Sequence, residues 1–275
     1  MSHLISAEAL AAELASPIPP VVLDVRWVLG RTDGREHYLA GHVPGAVFVD
    51  LDHELAGHGR AEDGRHPLPA IDDLQAAARR WGISADSAVV IYDDLKSMAA
   101  ARAWWLLRWA GCDNVRVLDG ALPAWVATGR ILDEGDVVPD AGTVVLEPGN
   151  LPVLTIDETA AFPGHGVLLD ARAPERFRGD VEPMDPRAGH IPGAVNAPST
   201  GNVDSDGRFL PADALAARYE SLGVAAGIPV GAYCGSGITA AHDVLALAIA
   251  GVDAALFPGS WSSWSNHPDR PVAVG

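Results

Sequence analysis

Short apolar runs alternate along this chain with longer stretches in which apolar residues recur at helical spacing. The runs Val21–Val25, Val89–Tyr92 and Val115–Leu118 in the first half, and Val167–Leu169, Val230–Tyr233 and Ala254–Phe257 in the second, are rich in β-branched and aliphatic residues and bounded by polar or glycine positions. They predict strands buried on both faces. Between them, Ile71–Trp81, Met98–Ala110, Ala212–Leu222 and Ile238–Ala250 predict helices. Ser6 is placed to cap a helix running through Leu14, and Thr155-Ile156-Asp157-Glu158 has the form of a capping box. Strands alternating with helices imply an α/β fold in which a mainly parallel sheet is flanked by helices.

The pattern occurs twice. Gly41-His42-Val43-Pro44-Gly45-Ala46-Val47 returns as Gly189-His190-Ile191-Pro192-Gly193-Ala194-Val195. Leu23-Asp24-Val25-Arg26 returns as Leu169-Asp170-Ala171-Arg172, Tyr92-Asp93 aligns with Tyr233-Cys234, and Trp125 with Trp264. Order is kept while the offset drifts, as expected of a duplicated domain with loop insertions. Gly135, Pro139, Gly142, Pro148 and Gly149 give the stretch between the copies the composition of a linker. The expected organisation is residues 1–135, a linker over 136–152, and residues 153–275. Features shared by both copies belong to the fold; features in one copy are candidates for chemistry. On that basis the Pro-Gly turn and the Asp-x-Arg pairs are structural, and Trp104, Trp105 and Trp109 are packing residues.

Length and charge narrow the function. The 275 residues are 48% hydrophobic, enough for about two cored domains. Against 19 basic residues stand 36 acidic ones, giving a net charge of −17 with no compensating basic run, so nucleic acids and anionic membrane surfaces are poor partners. The apolar C-terminal stretch is broken by His242, Asp243 and Asp253, and the N-terminus has no signal-peptide pattern. The two cysteines, Cys112 and Cys234, fall in different halves, which argues against a structural disulfide or a multi-thiolate zinc site. A cytoplasmic location is the expectation.

Candidate chemistry centres on Cys234. It stands between a predicted strand and a predicted helix, in Tyr233-Cys234-Gly235-Ser236-Gly237-Ile238-Thr239. Backbone N–H groups of such a loop and of the helix's first turn converge on the sulfur, and the helix dipole adds positive potential, so a sulfur-borne anion is stabilised there. A phosphatase using such a cradle needs an arginine to hold phosphate, but Ile238, Thr239, Ala240 and Ala241 follow instead. The first copy has Asp93-Asp94-Leu95-Lys96-Ser97-Met98 here, with no thiol, and is expected to be catalytically silent.

These motifs together resemble the tandem-domain rhodanese-type sulfurtransferases: the Asp-x-Arg strand ends, the Gly-His-x-Pro-Gly-Ala turns, Arg176-Phe177-Arg178-Gly179, the single second-domain cysteine and Pro258-Gly259-Ser260-Trp261. The resemblance implies two rhodanese-like domains, the second catalytic. The loop is similar to that of the 3-mercaptopyruvate branch; thiosulfate-preferring relatives usually carry basic residues directly after the cysteine. It further implies that Cys234 takes sulfur as a persulfide, that Gly235, Gly237, Ile238 and Thr239 line the substrate, and that Arg176 binds its carboxylate, with Arg178 and Arg187 as further candidates. The family's second substrate arginine has no clear match, since the comparable stretch reads Glu182-Pro183-Met184. A Ser-His-Asp relay, where relatives use one, maps onto Ser236, His42 and Asp33, although His190 at the equivalent turn points to a structural histidine.

The expected reaction is transfer of a sulfane sulfur from a small-molecule donor to a thiol acceptor such as thioredoxin, without metal or organic cofactor. Thiosulfate as donor is the alternative. A non-catalytic interaction module fits poorly with an intact cysteine loop, and a redox or arsenate-handling enzyme wants a resolving thiol that nothing places near Cys234.

Overall fold

A computed structural model describes residues 2–275. The chain forms two compact units. The first comprises residues up to Ala56, Pro69–Asn150 and Asp204–Phe209; the second comprises Gly57–Leu68, Leu151–Val203 and Leu210–Gly275. Each unit thus includes a short segment from the opposite half of the sequence.

In the first unit the elements run β1 (Leu4–Ile5), α1 (Ala7–Leu14), β2 (Val21–Asp24), α2 (Gly34–Ala40), β3 (Val47–Phe48), α3 (Leu51–Glu54), α4 (Ile71–Arg80), β4 (Val89–Tyr92), α5 (Ala100–Trp109), β5 (Val115–Leu118) and α6 (Ala121–Ala127). The sheet order is β1-β5-β4-β2-β3, all parallel. Every residue of β4 is buried, as a strand covered on both faces requires. Leu10, Val22, Val90 and Trp125 are among the residues of its core. Ser6 caps α1 through Ala9 N–H. Trp104 and Trp105 are buried as expected, with Trp109 stacked on Trp105.

The second unit repeats the plan with α7 (Ile156–Ala161), β6 (Val167–Asp170), α8 (Pro174–Arg178), β7 (Val195–Asn196), α9 (Ala212–Glu220), β8 (Val230–Tyr233), α10 (Thr239–Ile249), β9 (Ala255–Leu256) and α11 (Ser260–Ser265). Its sheet order is β7-β6-β8-β9, again parallel. A strand equivalent to β1 is reduced to a single bridge, Val153 with Leu256. The capping box at Thr155 forms with Glu158. Phe257, Trp261 and Trp264 pack with Leu168 and Tyr233 in the core.

The Asp-x-Arg pairs tie strand ends to the glycine turns in the same way in both units. Arg26 donates to Asp24 and to the carbonyls of Gly41 and His37, while Arg172 donates to Asp170 and to Gly189 O. The turn histidines also match. His42 donates Nδ1–H to Tyr38 O and stacks on Tyr38; His190 does the same with Phe177.

The Gly/Pro-rich stretch expected as a linker over 136–152 has no regular element, and most of it is part of the first unit. Gly142 and Val144 donate to the carbonyls of Arg79 and Ile83, Arg79 Nε donates to Val144 O, and Val144 and Leu146 are buried. Glycine and proline prevent helix or strand here, but two apolar side chains suffice to anchor the strip.

Candidate active site

Cys234 directly follows β8, and its loop is the turn between that strand and α10. The residue is only 2% exposed. Its sulfur accepts the Gly237 N–H at 3.1 Å, so at least one cradle donor already points at Sγ. Beneath the loop the Pro258–Trp261 turn holds it in place. Cys234 N–H donates to Ser260 Oγ, Trp261 N–H to Cys234 O, and Ser262 N–H to Gly235 O. Gly237 has φ +84°, and a Cβ there would lie 2.5 Å from Pro258 O, which fixes glycine at this point. Ser236 and Ile238 are buried in the loop, and Thr239 opens α10 half-buried. An eleven-residue helix starting here contributes its N-terminal potential to the loop.

Two guanidinium groups stand over Gly235. A Cβ on that residue would lie 3.1 Å from Arg65 Nη2 and 3.4 Å from Arg176 Nη1. Arg176 comes from α8, as the sequence implied. Arg65 was not anticipated. It arrives on the 57–68 segment, which is anchored to α11: Arg65 N–H donates to Ser262 Oγ, and Ser263 Oγ donates to Glu62 O. A signal for it existed in the repeat, because Asp63-Gly64-Arg65-His66 matches Asp206-Gly207-Arg208-Phe209. Arg208 and Phe209 belong to the first unit, as Arg65 and His66 belong to the second. Within this repeated segment histidine occurs in one copy only.

Both arginines are paired with carboxylates. Asp185 accepts from Arg65 Nη1 and, at 3.3 Å, from Arg176 Nη2; Glu182 accepts from Arg176 Nη2 at 2.6 Å and lies 3.4 Å from Arg172 Nη1. Asp185 and Glu182 side chains are 2% and 3% exposed, whereas Arg65 and Arg176 are 24% and 20% exposed. Burial pushes the Asp185 carboxyl above its ordinary range, with Arg65 opposing. Beside this cluster lies a cleft of about 640 Å³ lined by Arg65, Glu182, Met184, Asp185 and Asn266.

The remaining candidates lie elsewhere. Arg187 directs its guanidinium at the carbonyls of Ser265, Arg270, Trp264 and His267, closing the end of α11, so its donors are taken up within the second unit. Arg178 is exposed and paired with Asp180. His42 and Asp33 belong to the first unit, where they do not meet. His42 is wholly buried with Nδ1 on Tyr38 O, while half-exposed Asp33 is held by Arg31 and His37. An Asp33-to-His42 step is therefore not assembled. The first-unit counterpart of Cys234, Asp93, is completely buried and accepts N–H bonds from Leu95, Ser97, Ala99 and Ala100 at 2.8–3.0 Å. Its carboxyl fills the first unit's own cradle.

Comparison with known proteins agrees with this geometry. The family model described as "Rhodanese-like domain" matches residues 6–128 and 155–267. The chain is 52% identical over 275 residues to a Mycobacterium tuberculosis protein named "Putative thiosulfate sulfurtransferase SseB", covering 99% of this chain and 97% of that protein. It is 45% identical over 284 residues to a Pseudomonas aeruginosa protein named "Probable 3-mercaptopyruvate sulfurtransferase", covering 100% and 99%. The crystal structure of SseA from Escherichia coli, a 3-mercaptopyruvate sulfotransferase, superposes with a TM-score of 0.85 at 32% identity, covering 95% of this chain and 99% of that one. With the duplicated parallel sheets and a lone cysteine in the second cradle, the chain belongs to the tandem-domain rhodanese-type sulfurtransferase family.

Proposed function

We propose that the protein moves a sulfane sulfur from 3-mercaptopyruvate, through a persulfide on Cys234, to a thiol acceptor. The observation that carries this reading is the Cys234 sulfur in a backbone cradle with Arg65 and Arg176 over the adjacent Gly235. A guanidinium fork suits a carboxylate held close to the reacting sulfur. The Cys234 thiolate attacks the donor sulfur, forming an S–S bond while the donor C–S bond breaks. The electron pair leaves on the three-carbon fragment as an enolate, which takes a proton to become pyruvate. A second thiolate then attacks the outer sulfur and releases Cys234, a two-stage covalent scheme.

Protonation of the enolate needs a donor that thiosulfate cleavage does not, because sulfite leaves as a stable anion. Ser236 in the loop is the candidate hydroxyl, and His66 replaces His42 as the candidate histidine. Three facts support His66: it follows Arg65 directly, it is buried, and its counterpart in the other copy is Phe209. Thiosulfate is the second donor to consider, favoured by the name of the M. tuberculosis relative. Thioredoxin is a fitting acceptor for a nearly buried persulfide only through an exposed, flexible thiol. A reducing cytoplasm suits two cysteines that are both free thiols.

The test is intact-protein mass after exposure to donor. One added sulfur atom in the wild type and in Cys112→Ser, with none in Cys234→Ser, supports the scheme. Transferable sulfur on Cys234→Ser overturns it.

A further inference from the structure

We propose that Asp185 is a specificity-determining residue: its carboxylate neutralises the two guanidinium groups over the cysteine loop, so a donor with one negative charge is accepted there and a dianionic donor is held back.

The charge arrangement carries this. Arg65 and Arg176 are the cations next to Gly235, and neither is available as a bare charge. Asp185 bridges them, and Glu182 accepts from the same Arg176 Nη2. Glu182 is in turn fixed by the Met184 and Asp185 N–H groups at 3.1 and 3.2 Å, so the 182–185 turn is a built support and not a stray acidic loop. Arg172, which reaches Glu182, is already matched by Asp170. Arg65, Arg172 and Arg176 therefore face Asp170, Glu182 and Asp185, and the cluster carries no net charge. The Nε atoms of Arg65 and Arg176 are buried without a partner, so the internal carboxylates do not use all the donors of either guanidinium.

A mercaptopyruvate carboxylate brings a single negative charge to these forks, at Arg65 Nη2 and Arg176 Nη1, the nitrogens nearest Gly235. Thiosulfate brings a second negative charge into a neutral, largely buried cluster inside an acidic protein, and nothing in the loop after Cys234 offsets it. The selectivity thus comes from an acid that mutes two arginines, not from missing cations.

The experiment compares wild type with Asp185→Asn and Asp185→Ser, each in a Cys112→Ser background and checked for an unchanged melting profile, and with Asp185→Glu as the conservative rescue. The first readout is the ratio of kcat/KM for thiosulfate to that for mercaptopyruvate, which should rise roughly tenfold, the screened effect of one additional charge at this range, and return with Asp185→Glu. This readout rests on the sulfur-transfer reading. The second does not: the rate of Cys234 alkylation by iodoacetate relative to iodoacetamide should rise by a similar factor. Alkylation ratios that shift in a protein acquiring no sulfur would support the role of Asp185 while sinking the proposed reaction. Unmoved ratios with both reagent pairs in any folded variant overturn the inference.

Discussion

Asp93 and Cys234 occupy the same point of the two units, each directly after a fully buried central strand and each receiving backbone N–H groups from the loop that follows. The first unit supplies its own anion as a side chain, and the second leaves the place to a sulfur. The two copies thus hold one cradle closed by a carboxyl and one that receives a thiol.

Burial is the main cause that raises the Asp93 carboxyl to about 6, against the four N–H bonds that hold it down. An acid with a raised folded-state pKa favours the folded state most when protonated. Its contribution is therefore present below the unfolded value and lost as pH rises through about 6. Wild-type stability relative to Asp93→Asn should fall by about 3 kcal/mol between pH 3 and 7, then level off. Denaturant melts of both proteins across this range check the slope. A pH-independent difference would mean that folding leaves the Asp93 pKa unchanged.

Arg187 gives a contrasting case, where a residue expected to touch substrate holds a helix end instead. Arg187→Ala leaves four carbonyl acceptors near α11 unmatched and should lower stability by about 2–4 kcal/mol. In steady-state assays of protein that remains folded, KM for either donor should stay within about twofold. A large KM increase would return Arg187 to the substrate site.

The main elements were legible because their signals are local. Six apolar runs became strands with boundaries shifted by a residue or two, and Ser6 and Thr155 cap as their side chains allow. The two-residue strands β3 and β7 are too short to show periodicity and arise from tertiary pairing beside β2 and β6. Cys234 was legible because a lone thiol directly before a Gly-Ser-Gly loop is unusual locally. Arg65 was not, since it reaches the loop through an irregular segment that folds with the other half of the chain. Only the Asp-Gly-Arg repeat at 63–65 and 206–208 marked it. The loop also looked free of cations in sequence, whereas Arg65 and Arg176 supply them from elsewhere.

The histidine assignment separates by donor. His66→Asn should lower kcat with mercaptopyruvate by about a hundredfold, in the range of a lost general acid, while thiosulfate turnover changes by less than about fivefold. His42→Asn removes a buried ring stacked on Tyr38 and should reduce the melting temperature with little donor discrimination. Side-by-side kinetics with both donors decide. Equal losses for both donors in His66→Asn would remove it from the proton path.

A fragment beginning at Leu151 should be nearly inactive, because it lacks the 57–68 segment that belongs to the catalytic unit and brings Arg65. Loss of one charge-matched arginine alone, in full-length Arg65→Ala, should reduce kcat/KM for mercaptopyruvate by about 10–100-fold, as expected when a charge-assisted pair worth a few kcal/mol is removed. The comparison of the two separates a missing residue from a missing domain. Full activity in the fragment would show that Arg65 contributes nothing.

The two loop glycines should fail in different ways. At Gly235 the neighbours of an added methyl are the ends of Arg65 and Arg176, flexible groups that can retreat by a few tenths of an ångström. Gly235→Ala should therefore fold with a stability change within about 1 kcal/mol, yet its displaced guanidiniums should raise KM for both donors, by roughly tenfold, with kcat less affected. At Gly237 the neighbour is the Pro258 carbonyl, which is backbone, and the left-handed φ adds strain to any side chain. Gly237→Ala must shift the loop itself, moving the N–H that reaches Cys234 Sγ. Its losses should appear in kcat and in stability together, at about 2 kcal/mol or more. Persulfide yield at saturating donor distinguishes them: near-complete for Gly235→Ala and low for Gly237→Ala. The reverse pattern would place anion recognition in the backbone cradle alone and leave the two arginines as supports for the 182–185 turn.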